Sequence, residues 1–202
     1  MSAAQKGGKA EARVEAQRKR ILDAAQHCFM QHGFHGASMA NIAETAEMSA
    51  GLIYRYFESK SAIILAIVEE QLVLLREEIR LNDQPDLPQL MADNYGRSCA
   101  EDQRGMNSVL LLEISAEASR DPQVAAALDD YDAALREALC EWFVRSEAEG
   151  GHGMSEAAAP RRALMLQCLF EGLKLRETRE PNLDRTLLLE ALQEVVPLIL
   201  KP

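Results

Sequence analysis

Residues 38–60, SMANIAETAEMSAGLIYRYFESK, decide the fold prediction. Ser38, Ser49 and Ser59 are each suited to begin a helix, because a serine oxygen accepts hydrogen bonds from the amides of a first helical turn. Three such residues within 22 positions predict three closely spaced helix starts. The first two helices are short and meet at Glu47, which gives the size and spacing of a helix-turn-helix unit.

A longer helix precedes this unit. Its apolar residues recur at helical spacing on one face and are Ile21, Leu22, Ala25, Cys28 and Phe29. We expect this helix to end near Gly33, since glycine is the usual left-handed residue at the end of a helix. Residues 1–13 are rich in Gly, Ala, Lys and Glu without apolar periodicity, and they predict a flexible tail.

The rest of the chain also shows helical patterns separated by turn signals. No segment has sustained period-two alternation, so no strand is predicted. The expected fold is all-α with about nine helices, in which residues 14–60 form the helix-turn-helix domain and residues 61–202 form a second helical domain. The later helices are predicted at 88–102, 106–118, 122–149, 157–179 and 183–200.

The charge of the chain is unevenly distributed. The formal net charge is -10, but residues 1–60 carry eight Lys and Arg against six Asp and Glu, whereas residues 61–202 carry 14 against 26. This asymmetry favours an N-terminal part that tolerates polyanions and a remainder that avoids them. The longest apolar run has seven residues, where a membrane span needs about 20. With no apolar signal segment near residue 1, we expect a cytoplasmic protein without a membrane partner.

The sequence has no recognisable catalytic or metal-binding motif. It contains no zinc-protease helix motif, no phosphate-cradling glycine loop and no nucleophile elbow. The four cysteines, at positions 28, 99, 140 and 168, do not have zinc-ligand spacing. Three histidines around residue 30 form only a weak metal pattern. The sequence therefore predicts no metal and no cofactor, and a helical enzyme is the less favoured alternative.

The second short helix begins with three small residues, Ser49, Ala50 and Gly51. In a helix-turn-helix unit this end points toward the major groove of DNA, and small side chains let the backbone approach a phosphate or a base edge. Lys60 lies in the first turn of the next helix, where a cation and backbone amides together favour a phosphate. These positions predict contacts with a DNA backbone.

Three consecutive residues of this helix, Tyr54, Arg55 and Tyr56, are both bulky and polar. Successive helical residues are about 100° apart, so all three cannot face the core. The hydroxyls can bond to phosphates, and the guanidinium can bond to a phosphate or a guanine edge. Either Leu52 or Ile53, with the following phenylalanine, anchors the helix. On this pattern alone a core cluster and a DNA-reading surface are equally favoured, and a helical protein-interaction module is the alternative without DNA binding.

The segment Arg18–Glu69 resembles the DNA-binding domain of the TetR/AcrR family of transcriptional regulators. The matching motifs are ILDAA and GF in the first helix, SMANIA in the second, and GLIYRYFESK across the third and into the fourth. The resemblance implies a double-stranded, pseudo-palindromic operator as partner. The residues that it implies for DNA contact are Ser38, Met39, Ser49, Ala50, Gly51, Tyr54, Arg55, Tyr56 and Lys60. Polar or basic residues are common in the family at the positions of Met39 and Ala50, so base reading is expected to rest more on Arg55.

The resemblance also implies a homodimer and a small-molecule effector. The domain at 61–202 is expected to hold the effector and to pair with a second copy through its last two helices. The final helix is apolar on more than one side, which independently favours a partner, and the end of the chain loosely resembles regulators of the BetI type. Binding of the effector is expected to shift the fourth helix, residues 60–81, and to release the operator, which makes the protein a repressor.

Candidate effector-binding residues interrupt apolar helical faces with aromatic, soft or polar groups. They are Tyr95, Cys99, Glu113, Trp142, Phe143, Cys168 and Phe170. Ordinary core packing is the competing interpretation for each of them. Glu113 stands inside the apolar run SVLLLEISAEA, where a carboxylate needs solvent or a cationic partner. It either emerges at the edge of its helix or meets a cationic or amine-bearing effector.

Overall fold

The computed structural model of the chain describes residues 3–81, 86–96 and 107–201. Within these ranges the chain forms nine α-helices and a short 3-10 turn, and it has no β-strand. The all-α prediction is confirmed. The helices are α1 (Ala3–Gly36), α2 (Met39–Thr45), α3 (Ala50–Tyr56), α4 (Lys60–Leu81), α5 (Leu87–Asn94), α6 (Ser108–Ala118), α7 (Pro122–Val144), α8 (Ala159–Arg179) and α9 (Arg185–Leu200). None of the described helices combines the length and the apolar character of a membrane span.

Three boundaries differ from the sequence prediction by more than three residues. Helix α1 already begins at Ala3, where a flexible tail is predicted; the Ala, Lys, Gln and Glu residues there are strong helix formers even without an apolar face. Helix α7 ends at Val144 rather than at 149, because the chain then turns and places Gly150 in the left-handed region with a φ of 79°. The helix predicted at 88–102 ends at Asn94, and its last residues lie outside the described ranges.

The chain divides into two compact units. Unit 1 comprises Met1–Glu69 and Glu113–Ala127, and unit 2 comprises Glu70–Leu112 and Leu128–Pro202. The division falls inside α4, α6 and α7, so each of these helices begins in one unit and ends in the other. The sequence instead predicts a single boundary after residue 60, because apolar periodicity shows where a helix lies but not which core each of its turns joins.

Serine side chains cap all three helices that begin in the stretch 38–60. The Ser38 oxygen accepts a hydrogen bond from the Asn41 amide at 3.1 Å, and the Asn41 side chain in return accepts from the Ser38 amide at 3.0 Å. Ser49 accepts from the amide of residue 52 at 3.3 Å, and Ser59 accepts from the amide of residue 62 at 3.1 Å. The predicted helix starts are confirmed. Between α2 and α3, Glu47 has a φ of 50°, and this left-handed residue makes the turn.

The core of unit 1 forms where the apolar faces of its helices meet. Ile21 of α1, Ile42 of α2, Ile53 of α3 and Ile63 of α4 are each completely buried. Helix α1 packs against α2, and α2 packs against α3. Ile114 of α6 is also buried in this unit. The two short helices, α2 and α3, are therefore held by burial of their aliphatic residues rather than by their own length, since helices of two turns are unstable in isolation.

The core of unit 2 is built from α5, α7, α8 and α9. Its buried aromatic residues are Tyr95, Trp142 and Phe143. Their polar atoms are satisfied, because the Tyr95 hydroxyl donates to the Glu180 carbonyl at 2.9 Å and the Trp142 indole donates to the Gly150 carbonyl at 3.0 Å. Burial raises the pKa of Tyr95, and nearby carboxylates add to this shift. The tyrosine thus stays neutral and acts as a hydrogen-bond donor.

His152 packs edge-on against the aromatic pair of α7. Its ring centroid lies 4.6 Å from that of Trp142 and 5.8 Å from that of Phe143. Among the described residues its Nε2 atom is buried without a hydrogen-bond partner. Burial lowers the pKa of His152 below the ordinary value of 6.5. The fold therefore favours the neutral imidazole, since a protonated Nε2 would have no acceptor there.

This environment predicts that acid destabilises the protein through His152. As the pH falls below about 6.5, the unfolded chain binds a proton that the folded chain resists, so the free energy of unfolding decreases until the lowered folded-state pKa is reached. The change His152→Phe keeps an aromatic ring and should flatten this decrease in urea unfolding between pH 7.5 and 5.5. His27→Gln, at an exposed histidine of α1, is the matched control. Equal loss of stability in the wild type and in His152→Phe would contradict the assignment.

Candidate nucleic-acid interface

One face of α3 is fixed to the core of unit 1. Ile53 is completely buried and Phe57, which follows the helix, is 3% exposed, whereas Leu52 is only partly buried. Ile53 rather than Leu52 is thus the main aliphatic anchor. The guanidinium carbon of Arg18, on α1, lies 4.8 Å from the centroid of the Phe57 ring and covers it. These contacts leave the opposite face of α3 directed away from the core.

The opposite face carries the bulky polar residues predicted to read DNA. The Tyr54 residue is 55% exposed, Arg55 is exposed and Tyr56 is partly exposed. Among the described residues Arg55 makes no ion pair. The sequence leaves open whether these three residues form a core cluster or a surface. In the structure they form a surface. Two hydroxyls and an unneutralised guanidinium are available on it for an anionic partner.

The N-terminal ends of α2 and α3 lie at the surface of unit 1. Ser49, Ala50 and Gly51 are all exposed. A methyl group built on Gly51 would meet no atom within 4 Å, so the chain itself does not require glycine here. At the start of α2, Ser38 is exposed and Met39 is partly buried. Exposed amides of a first turn can bind a phosphate, and contact of these five residues with DNA stays a prediction.

Lys60, which the sequence predicts as a phosphate ligand, has partners within unit 1. Its ammonium group donates to the Phe34 carbonyl at 2.6 Å and to the Ala37 carbonyl at 2.7 Å, and it lies 4.5 Å from the centroid of the Phe34 ring. Two of its three N–H donors are therefore occupied inside unit 1. Contact of Lys60 with DNA stays a prediction.

A basic residue of α1 supports the turn of the helix-turn-helix unit, although the sequence pattern does not single it out. Arg20 pairs with Glu47 at 2.8 Å, and Glu47 is the left-handed turn residue between α2 and α3. Both side chains are substantially exposed, so the pair contributes little to stability. It does neutralise an acidic group next to the proposed DNA-binding face. The signal in the sequence is the triplet RKR directly before the apolar face of α1.

Two family models together match most of the chain. The model of bacterial regulatory proteins of the tetR family matches residues 21–67, and the model of the C-terminal part of BetI-type transcriptional repressors matches residues 90–201. The chain belongs to the TetR family. It is a DNA-binding transcriptional regulator with a helix-turn-helix unit, and the relatives that it matches are named as regulators rather than enzymes. Regulators of this family bind operator DNA, typically as dimers, and respond to small molecules.

Individual TetR-family relatives agree with this assignment. The transcriptional regulator UidR of Escherichia coli K12 is 34% identical over 68% of this chain and 70% of its own length. The transcriptional repressor AcnR of Corynebacterium efficiens is 28% identical over 77% of this chain and 78% of its own. Among solved structures, GusR of Salmonella enterica superposes with a TM-score of 0.71 at 28% identity, covering 92% of this chain and 95% of that one.

The residues predicted to bind an effector of this TetR-family regulator lie in different environments. Tyr95, Trp142 and Phe143 belong to the buried core of unit 2, and Phe170 packs against that core while partly exposed. Cys168 is exposed on α8. Cys99 lies outside the described residues. The effector role of these residues stays a prediction.

Glu113 occupies a position that neither sequence interpretation anticipates. It belongs to unit 1, and its Oε2 atom accepts a hydrogen bond from the Phe34 amide at 2.8 Å. The partner of this partly buried carboxylate is thus a backbone N–H rather than a cation or bulk solvent. The sequence could not indicate this contact, because 79 residues separate the two groups. No cluster of three or more His, Cys, Asp or Glu side chains suited to a metal occurs in the described part of the chain.

Proposed function

We propose that this regulator binds a pseudo-palindromic operator as a homodimer and leaves it when a small molecule binds unit 2. The observation that carries the DNA-reading assignment is the orientation of α3. Ile53 holds the helix on the core while Tyr54 and Arg55 face outward beside a small, exposed N-terminus. This arrangement matches a recognition helix, whose N-terminal residues enter the major groove. As a regulator of transcription, the protein would work where bacterial DNA is, in the cytoplasm.

Helix α8 presents an unpaired apolar stripe that supports a dimer. Leu164, Met165 and Leu175 are 49%, 53% and 37% exposed, and Cys168 is exposed between them. These positions recur at helical spacing on one face. A Cβ built on Gly172, in the same stripe, would meet nothing within 4 Å. An exposed apolar stripe of this length is costly in water unless another surface covers it.

Helix α9 presents a second such stripe. Leu188, Leu192, Val196 and Ile199 are buried in the core of unit 2. On another face of the same helix the large exposed apolar residues are Leu187, Val195 and Leu198. Because α8 packs against α9 within unit 2, the two stripes are suited to pair with their copies in a second chain. The dimer interface proposed here therefore consists of the exposed faces of the last two helices.

A dimer also fits the requirements of operator binding. One small module makes few phosphate contacts, whereas two copies engage half-sites about one helical turn, ~34 Å, apart. The acidic remainder of the chain, with 26 Asp and Glu against 14 Lys and Arg, disfavours binding of DNA through any other face. Two copies of α3 would thus set both the affinity and the orientation of the complex.

The sense of regulation proposed is repression relieved by ligand. The C-terminal model that matches residues 90–201 describes repressors, and so does the name of AcnR. Release follows if the ligand binds more tightly to a conformation of unit 2 that is incompatible with the operator, and such couplings are typically about 1–3 kcal/mol. The aromatic core residues Tyr95, Trp142 and Phe143 are the groups that we propose to line the effector pocket.

Selection of duplexes from random DNA by the purified full-length chain tests the proposal. We expect the recovered sequences to share a pseudo-palindrome, because two equivalent reading helices impose their twofold symmetry on the site. Binding to the selected duplex should also weaken steeply as salt increases, since phosphate contacts release counterions. Recovery of single, asymmetric sites would contradict the dimer, and recovery of no preferred sequence would contradict specific recognition by α3.

A further inference from the structure

The end of α1 is interrupted at Gly33. Its φ of 69° and ψ of 164° lie outside the helical range, in a region open almost exclusively to glycine. The break leaves Gly33–Ala37 as one separate turn, closed by a hydrogen bond from the Ala37 amide to the Gly33 carbonyl at 3.0 Å. A single turn is unstable on its own, because forming it fixes several dihedral angles for one hydrogen bond. Its conformation must therefore come from neighbouring groups.

A carboxylate of α6 caps the N-terminal end of this turn. The Phe34 amide directly follows the break at Gly33, so it stands at the start of a new turn, where amides need a partner outside the helix. It donates a hydrogen bond to Glu113 Oε2 at 2.8 Å. A negative group is also favourable at the N-terminal end of a helical turn. One turn further along α6, Oε2 of the buried Glu117 lies 3.2 Å from Nε2 of His35. Two acidic residues of α6 thus face the same turn.

An ammonium group of α4 caps the C-terminal end of the turn. Lys60 donates to both the Phe34 and the Ala37 carbonyls, at 2.6 and 2.7 Å. These carbonyls have lost the continuing helix that would have bonded them, and a cation is the favourable partner at this end. Phe34 is therefore held through its N–H by a negative group and through its C=O by a positive one. The residue after the turn is Ser38, the cap that begins α2.

The two capping groups belong to helices that continue into unit 2. Helix α4 passes into unit 2 after Glu69, and α6 runs from unit 2 into unit 1 at Glu113. A shift of either helix along its axis would move its capping group relative to the turn. The amide of Phe34 would then be partly buried without an acceptor, which is unfavourable, and the turn would have to change its conformation. Because Ser38 directly follows the turn, such a change would also displace the cap that begins α2.

We propose that Glu113 is a positioning residue for operator binding, which couples α6 to the start of α2 through the turn Gly33–Ala37. This inference rests on the proposed function and deepens it by naming the contact through which α6 positions the recognition unit. The sequence alone suggests only α4 as the element that responds to an effector. Glu113 of α6 and Lys60 of α4 hold opposite ends of the turn, so the geometry of the turn depends on both helices. A displacement of α4 relative to α6 would therefore alter the position of the recognition unit.

The test compares two changes at Glu113 with a matched control. Glu113→Ala removes the acceptor, Glu113→Gln keeps an amide oxygen that can accept the same hydrogen bond, and Glu15→Ala removes an equal charge from an exposed site of α1. Affinity for the selected operator duplex is measured by titration. We expect Glu113→Ala to bind about fivefold or more weakly, while Glu113→Gln stays within about twofold of the wild type. A carboxylate that mattered only through its charge would give equal losses for the two changes.

Hydrogen exchange provides the second readout, and its comparison of the free with the operator-bound wild type does not depend on how the variants fold. Coupling is reciprocal, so saturation with the operator duplex should slow amide exchange in α6 of the wild type and of Glu113→Gln but not of Glu113→Ala. If the wild type binds the duplex without any change in α6, or if Glu113→Ala binds as tightly as the wild type, this inference is overturned and the proposed function stands. A wild type that binds no duplex overturns both.

Discussion

Replacing Arg55 by alanine is expected to weaken binding to the selected operator roughly 100-fold and to relax the base preference at one position of each half-site. A bidentate contact to a guanine is worth about 1–3 kcal/mol, and a dimer loses it twice. Arg55 is exposed on α3 and makes no ion pair among the described residues, so its removal should not unfold unit 1. The measurements are fluorescence titration of the duplex and repeated selection with the variant.

Two further changes make the result for Arg55 specific. Arg120→Ala removes the same charge from an exposed site just after α6, and it should leave affinity within about twofold because the site lies outside both the recognition helix and the proposed dimer interface. Tyr54→Phe keeps the exposed ring and removes the hydroxyl donor, and it should weaken binding a few-fold without changing base preference. If Arg55→Ala lowers the salt dependence but keeps the base preference, the guanidinium contacts a phosphate and not a base.

Introducing charge into the apolar stripe of α9 is expected to convert the protein into a monomer. The double change Leu187→Glu and Leu198→Glu places four carboxylates in the proposed interface of two copies, where desolvated like charges repel. Both leucines are more than half exposed in the single chain, at 59% and 64%, so the core of unit 2 should remain packed. Operator affinity should fall about 1000-fold or more, since each half-site then binds separately.

The oligomeric state is measured by sedimentation equilibrium and the operator affinity by titration of the same preparation. Val144→Glu, at an exposed apolar residue of α7, is the matched control and should keep both the dimer and its affinity. A double variant that remains dimeric would place the interface elsewhere. A monomer that keeps the wild-type affinity would show that pairing of half-sites does not contribute to binding.

The sequence predicts the recognition unit well because its determinants are local. The capping serines at 38, 49 and 59 act on amides three residues away, and all three predicted caps are present. The angular argument about Tyr54, Arg55 and Tyr56 depends only on helix geometry and predicts that at least one of them faces outward. The buried stripe of α9 follows from its apolar spacing for the same reason.

The internal contacts of Lys60 and Glu113 could not be predicted because their partners are distant in sequence. Lys60 bonds to carbonyls 23 and 26 residues away, and Glu113 bonds to an amide 79 residues away. Charge and position in a helix suggest a phosphate for the first and a cation or solvent for the second, whereas the fold supplies backbone groups. Both side chains bond to the backbone of Phe34, whose N–H and C=O groups are available to them because the helix breaks at Gly33. The sequence predicts the break but not the separate turn that follows it.

In the proposed complex the exposed face of α3 lies against DNA. Hydroxyl-radical footprinting of the protein tests this contact by comparing the oxidation rate of Tyr54 in the free chain and in the chain saturated with operator duplex. We predict that the duplex protects Tyr54 several-fold, while Tyr131, a partly exposed tyrosine of unit 2, is oxidised at the same rate in both states. Unchanged oxidation of Tyr54 in the saturated complex would contradict the claim.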